Sequence, residues 1–381
     1  MDAKAPARRL TYIDWARGIA VLLMIEAHTS DAWTRLSPVV RRTIAFRDAT
    51  VLGGFAAPLF LWLAGLAVVL SATRSAERSG SRWAAVEMIC RRGLEIFILA
   101  FLFRLQGWIV TPGGHPVTLF RVDILNIMGP AIVAAGIVWG LARTTAARVA
   151  LYGAIAAAVA LATPIVRVLP AVDALPMWVQ WHIRPFNEFT TFTLFPWAGF
   201  VFAGGAAGSL IAAAPGERME RRLHAILGAA GAALIAIGFY TAARPTIYSG
   251  GSSSFWTTSP TWFAIRLGIL LVALSVVYAA QAAVAALKRR ATPAAAHDSR
   301  PAIDPLATLG RNSLFIYWIH VELVYGYASW GWRHRLPLWG TAIAYVLFCV
   351  LLYRAIGWRD RFVDFWRARP RGALISSASS S

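Results

Sequence analysis

The chain has 381 residues, of which 58% are hydrophobic and only 14% are charged. Soluble globular proteins are nearer half apolar and a quarter charged, so this composition excludes an ordinary soluble domain. Several apolar runs approach the roughly 20 residues that a helix needs to cross a bilayer. Because lipid offers no partner to unpaired backbone groups, the sequence predicts an all-α, polytopic integral membrane protein.

The formal net charge of +19 would be typical of a nucleic-acid-binding protein if the chain were soluble. The basic residues cluster between the apolar runs instead, as expected for loops retained on the cytoplasmic side of a membrane. We therefore do not expect nucleic acid among the partners. The only two cysteines, Cys90 and Cys349, do not indicate a disulfide framework.

The apolar runs predict about ten transmembrane helices that form a single domain over residues 1–381. An even number of helices places both termini on one side of the membrane. Loops on that side hold 22 of the 37 Lys and Arg residues, and loops on the opposite side hold 10. This asymmetry predicts cytoplasmic termini in a cell inner membrane. The predicted spans are 12–33, 51–73, 92–110, 120–142, 147–169, 189–214, 222–243, 261–287, 306–329 and 338–357.

Two polar stretches are predicted to lie outside the helical bundle. Residues 288–305 are polar and rich in Pro and Ala, which predicts a mobile cytoplasmic linker. Residues 372–381 are rich in serine and predict a disordered tail.

The first predicted span, RLTYIDWARGIAVLLMIEAHTSDAW over residues 9–33, contains ionisable groups that lipid disfavours. On a helix, Asp14, Arg17 and His28 share one stripe, and Glu26 lies on the opposite side. A rise of 1.5 Å per residue puts His28 roughly 16 Å beyond Arg17, near the outer leaflet. Asp14 and Arg17 fit either an i,i+3 ion pair or a direct role in the site, which we take as substrate binding.

Further polar residues fall in the outer halves of other predicted spans. Arg104 lies near the end of the third span, Asp123 and Asn126 begin the fourth, and His320 lies on the ninth. Ionisable residues inside a membrane are functional candidates by default. We therefore expect a cavity that opens to the periplasmic side, with Arg104, Asn126 and His320 lining it.

His28 is the predicted catalytic residue. A neutral imidazole can take a proton from a hydroxyl or amine that attacks a thioester, or it can accept the acyl group and pass it on. A neighbouring carboxylate would fix its tautomer, with Asp123 as first choice and Asp31 as second. No HxxH, HxxxH or HExxH pattern occurs in the chain, so a metal site is not expected.

The opening RLTYIDWARGIAVLLMIEAH resembles the start of bacterial membrane proteins related to heparan-alpha-glucosaminide N-acetyltransferase. It is more distantly similar to the acyltransferase-3 family. Both families begin with an Asp-x-x-Arg-Gly turn, followed by an apolar run that ends in His. Three further stretches match the first family: GGFAAPLFLWLAGLAV, FTLFPWAGFVFAGGAAG and LGRNSLFIYWIH.

The resemblance implies a transmembrane acyltransferase. Such enzymes take an acyl group, usually acetyl from cytoplasmic acetyl-CoA, and place it on an extracytoplasmic glycan or similar acceptor. By position, His28 would be the family's catalytic histidine, and Asp14, Arg17 and Gly18 its signature turn.

The chain departs from acyltransferase-3 at the third span, where it lacks a clear Arg-x-x-Arg motif. In place of that motif, Arg91 and Arg92 at the inner end of this span are the candidates for binding CoA, because a pair of cations could hold its phosphates. The predicted topology explains these two arginines equally well.

Two other functions remain open at this point. A transporter or flippase for a small polar or lipid-linked substrate would use the same buried groups as a binding site. A non-catalytic membrane scaffold would use none of them. The expected partners are an acyl-CoA, an extracytoplasmic glycan or small-molecule acceptor and membrane lipid, with a homodimer as an open alternative.

Overall fold

The computed structural model describes residues 10–110, 115–242, 244, 259–291 and 304–368. Within these ranges the chain forms fourteen α-helices and no β-strand. Short 3-10 helices cover Pro116–Phe120, Pro170–Ala174, Asn187–Phe189 and Tyr327–Ser329. The α-helices are α1 (Thr11–Trp33), α2 (Pro38–Arg42), α3 (Ile44–Gly53), α4 (Ala56–Ser79), α5 (Arg82–Val110), α6 (Ile124–Leu141), α7 (Thr145–Val168), α8 (Met177–Ile183), α9 (Leu194–Ala212), α10 (Gly216–Ala242), α11 (Pro260–Ala291), α12 (Pro305–Arg311), α13 (Ser313–Tyr325) and α14 (Leu338–Ala368).

Eight helices in the described part of the chain are long and apolar enough to cross a membrane, counting α3 and α4 as one. The predicted all-α, polytopic membrane class is confirmed. Two predicted spans are not among the eight. They are α1, whose 23 residues include four charged side chains, and α13, which has only 13 residues. We call the end of the bundle where α1 begins the inner end, following the predicted orientation.

Two sequence-based boundaries differ from the structure. Residues 288–291 of the predicted linker continue α11, and Pro305 already begins α12. The rest of the linker, 292–303, and the predicted tail, 372–381, lie outside the described residues. The ninth predicted span is two helices, because Asn312, with φ −105° and ψ 17°, interrupts the helical backbone between α12 and α13.

The bundle core lies between α4 and α9. These two helices form one of the largest interfaces, together with the pairs α5–α6, α7–α9 and α10–α11. Trp62 and Leu66 on α4 and Phe200 and Val201 on α9 are fully buried there. Small residues at such crossings let the backbones approach closely, and close packing is a main source of stability where lipid removes the hydrophobic driving force.

A second close approach joins the start of the described chain to its last part. A β-carbon on Gly18 would collide with the carbonyl oxygen of Leu306, and one on Gly310 would collide with that of Asp14. Trp15 Nε1 donates a hydrogen bond of 2.7 Å to Asp304 Oδ2 beside this crossing. The α12–α13 pair therefore lies against α1 in a fixed register, and both run from the inner to the outer end.

We predict that Gly310→Ala destabilises the protein by about 1–3 kcal/mol, because the added methyl group overpacks the crossing with α1. Gly357→Ala is the matched control, since Gly357 is also a helical glycine and no described atom beyond the neighbouring backbone of its own helix lies within 4 Å of the added methyl group. This control should leave stability unchanged or raise it by up to about 1 kcal/mol. Thermal unfolding in detergent measures both, and equal midpoints for the two variants would contradict the prediction.

Candidate active site

Helices α1 and α13 bring two histidines into direct contact in the outer half of the bundle. His28 Nδ1 and His320 Nε2 lie 2.8 Å apart. The two ring planes are parallel within 1°, with centroids 5.0 Å apart. A nitrogen separation this much shorter than the centroid separation means that the rings lie end to end. The N–H of one ring therefore points along the lone pair of the other, which is good hydrogen-bond geometry.

The surrounding backbone determines which nitrogen of each ring carries the proton. His320 Nδ1 lies 2.9 Å from the carbonyl oxygens of both Ile316 and Tyr317. A carbonyl only accepts, so His320 Nδ1 must be the donor. For two neutral rings, His320 Nε2 then accepts from His28 Nδ1–H. This arrangement leaves one ring nitrogen with a free lone pair, and that nitrogen is His28 Nε2.

The two histidines differ in their access to the surroundings. His320 is fully buried, with 0% exposure, whereas His28 is only half-buried. Tyr325 packs its ring edge against His28, with centroids 5.6 Å apart, and donates a 2.8 Å hydrogen bond to Asp31 Oδ2. His28 is thus the more exposed member of the pair, and the exposed carboxylate of Asp31 belongs to its surroundings.

The outer half of the bundle also contains an ion pair. It joins Arg104 on the outer part of α5 to Asp123 at the start of α6. Both side chains are largely buried, with 19% and 15% exposure. The Arg104 guanidinium also interacts electrostatically with Glu322 on α13, two residues beyond His320. Arg104 therefore connects the ion pair to the helix that carries the second histidine.

Neither of the carboxylates predicted to orient His28 is hydrogen-bonded to its ring, although Asp31 lies near enough to interact with it electrostatically. Asp123, the first choice, pairs with Arg104, and Asp31, the second, accepts from Tyr325. The hydrogen bond to His28 Nδ1 comes instead from His320, which the sequence placed only in the pocket lining. Spacing along the chain could not reveal this, because the two histidines lie 292 residues apart.

Three other predicted site residues make hydrogen bonds or ion pairs within their own parts of the chain. Asn126 is buried, with 1% exposure, and its side-chain oxygen accepts the backbone N–H of Asp123 at the start of α6. Asp14 and Arg17 form the i,i+3 ion pair, with Arg17 Nη1 3.7 Å from Asp14 Oδ1, near the inner end. Arg17 is roughly 16 Å from His28 along α1, so the structure does not bring this pair to the histidines.

The two arginines proposed for CoA lie on the inner part of α5. Arg91 pairs with Glu87 at 3.1 Å and Arg92 with Glu95 at 3.0 Å, and all four side chains are at least half exposed. These are ordinary exposed ion pairs one helical turn apart.

The outer region combines an accessible imidazole lone pair with a guanidinium and carboxylates. Such a set can remove a proton from a hydroxyl or amine and orient a polar acceptor beside it. Within the described ranges, no group of three or more His, Cys, Asp and Glu side chains could hold a metal ion.

Comparison with known proteins extends these observations. The model of the family described as "Heparan-alpha-glucosaminide N-acetyltransferase, catalytic" matches residues 9–245, more than half of the chain. This match confirms the resemblance seen in the opening residues. No curated protein is detectably similar to the chain. His28, Arg104 and Asp123 lie inside the matched region, whereas His320 lies beyond it.

We predict that Arg104 and Asp123 are energetically coupled. Arg104→Gln and Asp123→Asn each leave a largely buried charge unpaired, so the double variant should be more stable than the sum of the single losses by about 1–3 kcal/mol. The exposed pair of Arg91 and Glu87 is the control, and its coupling should stay below about 0.5 kcal/mol. For each ion pair, thermal unfolding of the wild type, the two single variants and the double variant measures the coupling energy. Equal coupling energies in the two pairs would contradict the prediction.

Proposed function

The chain belongs to the heparan-alpha-glucosaminide N-acetyltransferase family, and we propose that it transfers an acetyl group from acetyl-CoA to a hydroxyl or amine of an extracytoplasmic glycan or similar small acceptor. The observation that carries this proposal is the end-to-end contact of the half-buried His28 with the fully buried His320. A membrane-embedded acetyltransferase needs a base at the acceptor side, and the lone pair on His28 Nε2 would serve as that base. We further propose that the membrane is the cell inner membrane.

In the proposed reaction, the acceptor oxygen or nitrogen attacks the thioester carbon while His28 Nε2 takes the acceptor's proton. The carbon–sulfur bond then breaks, and the same proton passes from Nε2 to the departing sulfur, so free CoA leaves as a thiol. His28 Nδ1–H remains hydrogen-bonded to His320 throughout. His320 is a positioning residue, because it holds the ring orientation and the tautomer without touching the reacting atoms.

A two-step route would use the same nitrogen. His28 Nε2 would attack the thioester carbon, the thiol would leave, and the acceptor would then take the acyl group from the imidazole. Incubation with labelled acetyl-CoA and no acceptor separates the two routes. Label retained on the wild type and absent from His28→Ala favours the two-step route, and an unlabelled wild type that transfers label once acceptor is added favours the direct one.

Arg104, Asp123 and Glu322 are proposed to bind the acceptor. Arg104 is held by Asp123 and interacts electrostatically with Glu322, so a guanidinium and a half-buried carboxylate lie near the outer end of the histidine pair. The guanidinium donates hydrogen bonds and the carboxylate accepts them, so together they suit an acyl acceptor with several hydroxyl groups. Asp14 and Arg17 are assigned to holding the inner end of α1 rather than to the acceptor.

We predict that His28→Ala abolishes acetyl transfer by the purified protein. His320→Leu should lower kcat by about 100-fold or more, because losing the orientation of a general base removes most of its contribution. His320→Gln should retain more activity than His320→Leu, since its side-chain oxygen can still accept from His28 Nδ1–H. KM for acetyl-CoA should be similar in both His320 variants, because the lost contact does not touch the donor.

Transfer of labelled acetyl to a panel of glycan and amine acceptors measures these effects. His115→Ala, at an exposed histidine just before the 3-10 helix Pro116–Phe120, is the control and should keep full activity. Full activity of His28→Ala in a working assay would refute the mechanism. Uptake of labelled glycan into proteoliposomes without acetyl-CoA would instead favour a transporter.

A further inference from the structure

Two arginines from different helices contact the same carbonyl oxygen at the inner end of the bundle. The oxygen belongs to Ala142, the residue that follows α6 as its C-cap. Arg148 on α7 donates a 3.1 Å hydrogen bond to it from Nε, and Nη2 of Arg82, the first residue of α5, lies 3.5 Å from it. The two guanidinium groups therefore meet at the end of α6, where they repel each other electrostatically.

The positive charge at this point is larger than the end of α6 requires. The ion pairs formed by the described residues include neither Arg82 nor Arg148. The C-terminal end of a helix carries roughly half a negative charge, which one arginine would already balance. Two guanidinium groups therefore exceed what is needed to cap the helix. An anion between them would offset their repulsion.

The surroundings of Arg148 hold its guanidinium in place for such an anion. The guanidinium carbon lies 4.4 Å from the centre of the Trp139 ring, a cation–π contact, and Trp139 is buried. The hydrogen bond to Ala142 uses Nε–H, so it leaves both NH₂ groups of Arg148 available. Arginine binds phosphate oxygens in pairs through this planar fork. A site whose donors are already oriented loses less conformational entropy when a ligand binds.

The helix surface that leads to the two guanidinium groups is apolar and exposed. Ile137 and Leu141 lie one turn apart on the last part of α6, and both are exposed. Trp83, next to Arg82, is also exposed, and a β-carbon on Gly140 of α6 would lie 3.5 Å from its ring. These residues belong to helices that are long and apolar enough to cross a membrane. Lipid hydrocarbon is therefore the neighbour that suits this surface, and a tryptophan is typical of its boundary with water.

We infer that Arg82 and Arg148 bind the phosphate of an anionic phospholipid, whose acyl chains run along the exposed surface of α6. Basic pockets between helices at the cytoplasmic side of a membrane suit such headgroups. Phosphatidylglycerol fits the site better than phosphatidylcholine, because choline would add a third cation. The bound phosphate would join α5 to α7 across the end of α6, where α6 and α7 share only a small interface. This inference does not depend on the proposed acetyl transfer.

The effect of lipid on the stability of the full chain tests the inference without requiring any reaction. In a neutral detergent, phosphatidylglycerol should raise the unfolding temperature more than the same amount of phosphatidylcholine, because a ligand of the folded state stabilises it. Arg82→Gln and Arg148→Gln should each weaken binding of phosphatidylglycerol about tenfold, the loss expected for a hydrogen bond to a charged group. The double variant should respond equally to the two lipids.

Two exposed arginines at the same end of the bundle provide matched controls. Arg74→Gln and Arg78→Gln, on the last part of α4, remove the same charge at side chains that do not contact the end of α6. Both should bind phosphatidylglycerol as the wild type does. Unfolding without lipid checks that the site variants are folded. Arg82→Gln loses only a 3.5 Å contact and therefore disturbs packing least.

Four results would overturn the inference. One is equal stabilisation of the wild type by the two lipids, and another is a folded double variant that binds phosphatidylglycerol as tightly as the wild type. The third is an equal loss of binding in Arg78→Gln and Arg82→Gln, which would indicate general attraction to a basic surface. The fourth is stabilisation by inorganic phosphate that requires the same two arginines and equals that by phosphatidylglycerol, which would assign the site to a soluble phosphate.

Discussion

The register between α1 and the α12–α13 pair is the constraint on which the site depends. Gly18 and Gly310 mark the crossing near the inner end, and His28 and His320 meet near the outer end. Each histidine lies ten residues beyond its glycine, about 15 Å along parallel helices. Because both helices advance equally from the crossing, a slip of one residue there would separate the imidazoles. The packing at the inner end thus sets the geometry of the site at the outer end.

Composition and hydropathy were sufficient to predict the membrane class, the helical content and the approximate positions of the spans, because the bilayer imposes length and polarity on each segment. The sequence singled out His28 as a candidate by its depth in an apolar helix and by the family resemblance. It did not indicate the contact of His28 with His320, because that contact joins residues from opposite ends of the sequence.

The break at Asn312 and the position of His320 on α13 have a consequence for biosynthesis. The membrane helices of a polytopic protein are made in sequence from the N-terminus, and α1 emerges long before α13. Until α12 and α13 have inserted and packed against it, His28 lacks the hydrogen bond to His320 that fixes its tautomer. The contact between the two histidines is therefore a late product of assembly. A partly synthesised chain contains His28 without the residue that fixes its tautomer.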